Sequence, residues 1–175
     1  MPSRPESNEY TAFQGTYVAL VPEGDVLSVL HQQLNLIERL VADLTPEQES
    51  FRYAPGKWSV RQVFGHLADA ERIFGYRVLC IARGQKEALP PFDENLFVET
   101  ANFDERSLAD LAGEWRLLRE ASLAMMRGLD EEAWRRICVT SGAPVSARAF
   151  AWIAAGHLRH HLMILKERYR LGLLD

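Results

Sequence analysis

Apolar residues recur at helical spacing through four long stretches of the chain, and the polar stretches between them differ in length. Residues 1–22 are polar, carry prolines at both ends, and read as an N-terminal arm or irregular entry. From Asp25 to Leu44, the residues Val26, Leu30, Leu34, Ile37, Leu40, Val41 and Leu44 fall on one helical face, with Asp25 or Gly24 placed to cap its start. Thr45-Pro46 stops that helix, and a turn-rich run from Phe51 to Trp58 follows. Ser59 is a suitable N-cap for a second helix that runs to about Arg83, where Gly84 ends it. Its stripe comprises Val60, Val63, Phe64, Leu67, Phe74, Val78 and Ile81, and His66 lies near the stripe's edge.

Residues 84–106 are too long and irregular for a tight helix–helix turn and read as a crossover, with a short helix from Asp93 to about Thr100. Ser107 opens a third helix whose inner face is Leu108, Leu111, Trp115, Leu118, Ser122, Met125 and Leu129. A turn at Asp130–Arg136 leads into an irregular stretch ending at Gly142-Ala143-Pro144, and Ser146 caps the fourth helix. There the stripe is Phe150, Ile153, Ala154, His157, His161, Ile164, Leu165 and Arg168, with two histidines where a purely apolar core would use leucine. No run shows strand alternation. The pattern predicts an all-α four-helix bundle at residues 23–175, preceded by the arm at 1–22, with a long crossover between the second and third helices and therefore not an up-down-up-down path.

The chain has 175 residues, which suits one domain able to bury a core without covalent staples. A formal charge of −4 disfavours a phosphate-tracking surface, so nucleic acid is not expected as a partner. Cys80 and Cys138 are too few for a disulfide framework and read as small apolar residues. The start lacks the apolar segment of a signal peptide and no apolar run approaches bilayer length, so a cytoplasmic protein that does not enter membranes is expected.

His157 and His161 stand one helical turn apart, so their rings point the same way. If the second and fourth helices pack together, His66 joins them, and three imidazoles supply half an octahedron or three corners of a tetrahedron. Two readings compete: each ring is satisfied separately in the core, or one metal ion satisfies all three. Other metal templates fail. No glutamate follows His157, as a zinc-protease helix requires, and no Glu-x-x-His motif of the di-iron type occurs. His160 lies about 60° around the helix from His157, on the side away from His161, and reads as a rim acid or base, a replacement ligand, a subunit contact or a partly exposed residue. Asp69, one turn beyond His66, is placed either to accept a hydrogen bond from a ligand ring or, like Glu71, to pair with Arg72 or Arg77 on a solvated face. Asp93 and Glu94 on the crossover are placed to close over the metal end, and His31 reads as a surface residue.

The runs Pro55-Gly56-Lys57-Trp58-Ser59 through Gly65-His66-Leu67-Ala68-Asp69-Ala70-Glu71, then Pro91-Phe92-Asp93-Glu94, then Gly156-His157-Leu158-Arg159-His160-His161, resemble the DinB-like (YfiT-like) superfamily over residues 25 to 170. The resemblance implies an up-down-down-up four-helix bundle, a divalent metal (zinc or nickel foremost) on His66, His157 and His161, and a homodimer. It also implies the chemistry of S-transferases and isomerases that use low-molecular-weight thiols such as bacillithiol or mycothiol. A metal-held thiol is deprotonated near neutral pH, and the thiolate is the nucleophile. The partners expected are therefore a small-molecule thiol and an electrophile entering at the open bundle end, where Trp58 and Asp93 line the mouth. Lys57, Arg61 and Arg159 are candidates by proximity for holding the thiol's carboxylates. The leading expectation is a metal-dependent thiol S-transferase in stress response or detoxification. The alternatives are a non-catalytic metal-binding stress protein and a metal-dependent hydrolase.

Overall fold

A computed structural model describes residues 2–172; Met1 and residues 173–175, the end of the expected domain, lie outside the described residues. Eight helices occur among the described residues: α1 (Ala12–Ala19), α2 (Val26–Ala42), α3 (Pro46–Ser50), α4 (Val60–Ala82), α5 (Glu94–Thr100), α6 (Leu108–Arg127), α7 (Glu131–Arg135) and α8 (Ala147–Glu167). Caps decide where the four long ones begin. Asp25, Ser59, Ser107 and Ser146 are in extended backbone, and their side chains accept from amides in the first turns of α2, α4, α6 and α8. At Ser59 the cap is reciprocal, because Gln62 reaches back to the Ser59 amide.

The long helices form a four-helix bundle in which α2 packs on α6 and α8, and α4 packs on the same two. Contacts rise together along α4 and α6: Gly65 lies against Phe103 just ahead of α6, Arg72 pairs with Glu114, and Gly75 abuts Ser122. Along α4 and α8 they run oppositely, with His66 meeting His157 and Phe74 meeting Phe150. The long connection follows from this arrangement. The 23 residues of α4 rise about 34 Å, and the chain must travel back that far before α6 starts beside α4's N-terminal end. It does so through α5, capped by Asp93, and a 3₁₀ turn at Phe103–Glu105.

Two expectations about the elements need correction. The segment read as an irregular arm contains α1, whose capping box pairs Thr11 with Gln14. α1 packs on α8 because Gly156 has no side chain: a Cβ there would lie 1.9 Å from the Tyr17 carbonyl oxygen. The same segment is pinned by Arg4, which donates to the Val18 and Val21 carbonyls, and by Glu9, which is buried against Arg148 and accepts from the Ser146 hydroxyl at 2.6 Å. The second correction is a hairpin where no strand was expected. β1 (Ile137–Thr140) pairs antiparallel with β2 (Ala143–Ser146) through Ser141 (φ 52°) and Gly142 (φ 85°), the two positive-φ positions of a type I′ turn. Each strand has four residues, too few for alternation to register, and Pro144 speaks against a strand by composition.

Trp115, Trp152, Phe64, Phe150 and Leu30 are fully buried in the core. A polar cluster crosses it. Arg119 of α6 makes a bidentate pair with Glu71 of α4 (2.7 and 2.8 Å) and donates to Gln33 Oε1 of α2 at 2.7 Å. Gln33 Nε2 in turn donates to the Ala155 carbonyl of α8 at 2.8 Å. Glu71 is thus a buried partner of Arg119 and not a solvated partner of Arg72 or Arg77. One network touches all four bundle helices. Among the described residues no helix is long and apolar enough to cross a membrane.

Candidate metal centre

The glycine before each of two histidines sets the local packing. Gly65 admits the Phe103 ring, which an added Cβ would approach to 2.3 Å, and Gly156 admits the backbone of α1. His66 and His157 follow directly, on helices that pack face to face, and His161 lies one turn beyond His157. His157 Nε2 is 3.1 Å from His66 Nε2 and 3.2 Å from His161 Nε2, and the three donor atoms lie within 4.8 Å of one another. All three residues are buried.

A neutral imidazole nitrogen has either one N–H or one lone pair in the ring plane, so His157 Nε2 can make only one ordinary hydrogen bond to its two neighbours. A metal ion between them resolves this conflict. Nitrogens held about 2.0–2.1 Å from a tetrahedral ion stand about 3.3 Å apart, close to the 3.1 and 3.2 Å that separate His157 Nε2 from its two neighbours. Protonation also favours ligation. Burial, reinforced by His160, pushes His66 down to about 4, while burial and the neighbouring imidazoles hold His157 and His161 well below 6.5. All three rings are neutral near pH 7, as ligands must be.

Beside the triad lies a cavity of about 470 Å³. Phe74, Phe92, Phe150 and Ile153 form its apolar wall, and Thr11, Phe13, Gln14 and Tyr17 of the N-terminal segment close one side. Tyr17 stacks edge-on to both His157 and His160, each at 5.4 Å between ring centres. Burial, then the charge of Glu94, raises its pKa, so its phenol keeps its proton.

The structure brings together some of the expected site residues. Trp58 lines the cavity with its ring 4.9 Å from that of His66, held by a Tyr169 hydroxyl that donates to its carbonyl. His160 lines it too, 5.3 Å from the His161 ring, and burial lowers its pKa. Asp69 is absent from the lining and sits 3.7 Å from Arg72. Asp93 spends its carboxylate on the first amides of α5; its neighbour Glu94 reaches the cavity. Of the cations considered for anion binding, Arg61 is tied to Glu49, Arg159 lines a separate groove, and Lys57 is in neither lining. His31 is exposed. Sequence reasoning missed Tyr17, Arg77, Thr140 and Ser141. The Thr11/Gln14 capping box was a legible signal for the first; the others depend on where the hairpin folds.

Among known proteins, "Putative metal-dependent hydrolase" of Geobacillus thermodenitrificans is 28% identical over 151 residues, 81% of this chain and 83% of its own length. "Putative metal-dependent hydrolase YfiT" of Bacillus subtilis is 28% identical over 113 residues, 63% of this chain and 62% of its own. In structure the chain is similar to YfiT from Bacillus subtilis, described as a "probable metal-dependent hydrolase with an unusual four-helix bundle topology" (TM-score 0.76, 18% identity, covering 97% and 94% of the two chains). It is similar also to a mycothiol-dependent maleylpyruvate isomerase (TM-score 0.68, 14% identity), covering 90% of this chain and 64% of that one. The sequence profile of the DinB superfamily matches residues 30–165, and the chain belongs to that superfamily.

Proposed function

We propose that the chain is an enzyme that activates a small nucleophile at a divalent metal, zinc or nickel, held by His66, His157 and His161, and that the nucleophile is a low-molecular-weight thiol of the bacillithiol type, transferred to an electrophile. The observation that carries this reading is the convergence of three buried, neutral Nε2 atoms beside a cavity large enough for two small reactants. When bound, the ion supplies the Lewis acidity that takes a coordinated thiol to its thiolate near neutral pH.

The chain's own residues do the rest. The aromatic wall of Phe74, Phe92 and Phe150 excludes water from the reacting pair. Tyr17 offers a phenolic O–H that stays protonated, and His160 offers a neutral imidazole able to take the thiol proton at the rim. In the transfer, the sulfur–carbon bond forms as the electrophile's bond to its leaving group breaks. Among the described residues no carboxylate hydrogen-bonds to or pairs with the three histidines, which leaves His160 as the base beside them.

Hydrolysis is the second reading, favoured by the names of the relatives and by Glu94 and His160 in the lining as bases. The experiment compares zinc-loaded protein with a cysteine-based thiol and 1-chloro-2,4-dinitrobenzene against the same protein with 4-nitrophenyl acetate and no thiol. Conjugate formed only with both thiol and metal supports transfer. Ester turnover without thiol, and no conjugate, overturns it in favour of hydrolysis; metal bound with neither product makes the site a binding site only.

A further inference from the structure

Arg77 takes no part in the chemistry above, yet it lines the same cavity and is 5% exposed. Its Nη2 donates to the Pro90 carbonyl (2.9 Å) and to Ser141 Oγ (3.0 Å), and the Phe92 and Phe150 rings lie 5.7 and 5.4 Å from the guanidinium carbon. Among the described residues its Nε and Nη1 bond to nothing and no carboxylate pairs with it. The other two buried arginines differ: Arg119 has Glu71 and Arg148 has Glu9. A buried guanidinium without a counter-ion is unfavourable unless a ligand supplies one.

An orphaned hydroxyl stands in the same lining. Thr140, at the end of β1, is 1% exposed, and its Oγ1 has no hydrogen-bond partner. Ser141 Oγ accepts from Arg77, which leaves its own O–H to donate. This corner of the cavity therefore presents donors: the Nε–H and Nη1–H groups of the guanidinium and two hydroxyls. Glu94 is the sole carboxylate of the lining and makes no ion pair with Arg77. One permanent cation matches a single carboxylate in charge better than a phosphate dianion, and its unused Nε–H and Nη1–H groups are donors to it.

We propose that Arg77, with Thr140 and Ser141, binds a carboxylate on the small molecule whose other end reaches the histidine triad. The span selects an elongated ligand. Arg77 follows His66 by eleven residues on α4, about 16 Å of axial rise, and its side chain leans back toward the helix N-terminus. The carboxylate and the reacting group thus stand on the order of 10 Å apart. This assignment rests on the triad being the reactive end, and the test separates the two.

The probes are 8-mercaptooctanoate and its neutral amide, titrated by calorimetry into zinc-loaded and metal-free protein. Wild type is expected to bind the acid about ten- to a hundredfold more tightly than the amide, the worth of a charged hydrogen-bonded pair. Arg77→Met should bring that ratio near one without changing affinity for the amide, and Thr140→Val should reduce it several-fold. Removing zinc should weaken both probes alike and leave the ratio standing; if zinc strengthens neither, the triad reading fails while the carboxylate site survives. A ratio near one in wild type, which needs no variant to fold, overturns the proposal. So does a ratio that survives Arg77→Met in protein with native helical content.

Discussion

Arg119→Met removes the hub of the buried network and should be among the most destabilising single changes in the chain. The guanidinium is 1% exposed and satisfies both oxygens of Glu71, itself 3% exposed, as well as Gln33 Oε1. Methionine fills much of the volume, so the loss is electrostatic: Glu71 is left charged, buried and unpaired. Breaking one partner of such a pair costs about 3–5 kcal/mol, a large share of the roughly 5–15 kcal/mol that holds a typical domain together. In a domain of this size that lowers the melting temperature by about 6–20 °C. The double variant Glu71→Met/Arg119→Met removes both charges and leaves Gln33 Oε1 and, more weakly, the Leu30 carbonyl without the Arg119 donor, so it should fall within about 1–3 kcal/mol of wild type. Urea unfolding of the four proteins closes a double-mutant cycle. A double variant more stable than Arg119→Met is expected; a double whose loss equals the sum of the singles would refute the reasoning, as would Arg119→Met costing under about 1 kcal/mol.

Gly156→Ala should push α1 off α8, because the clash at 1.9 Å is with the backbone at Tyr17 and not with a flexible side-chain end. A loss of about 1–3 kcal/mol with new proteolytic nicking in residues 10–25 is expected, and unchanged stability and protection would contradict the close approach. Metal-free protein should lose stability as pH falls from 6.5 toward about 4, because burial depresses His66 to about 4 and His157 and His161 well below 6.5. In that window the unfolded chain binds protons that the folded one does not; the slope approaches about 4 kcal/mol per pH unit when all three rings contribute, and above 7 they contribute none. His161→Gln should remove about a third of that slope in urea titrations across pH, whereas an identical slope would show that His161 is not held neutral by the fold.

The triad was legible because its parts are local: an i,i+4 pair, a third histidine on another apolar stripe, and a glycine in front of two of the three. The long helices were legible for the same reason, since each carries its own cap and its own stripe. What stayed hidden depends on partners distant in sequence. Glu71 and Arg119 are 48 residues apart, and no periodicity announces that they meet. Arg77 looked like one more helix-face cation until the hairpin placed Ser141 and Thr140 against its cavity. α1 has a capping box but only eight residues, two of them its bounding alanines, and its docking is decided by a glycine on the far side of the chain. Of the Asp93–Glu94 pair expected near the metal end, only Glu94 lines the cavity, because a carboxylate in front of a short helix is claimed by that helix's amides.

The central claim is that three histidines form one metal site, and metal content tests it most directly. Untagged protein reconstituted with zinc or nickel, desalted and measured by elemental analysis, should retain close to one ion per chain. His66→Ala, His157→Ala and His161→Ala should each retain close to none with helical circular dichroism intact. Wild type that retains no metal although folded, or variants that retain as much as wild type, would contradict the account.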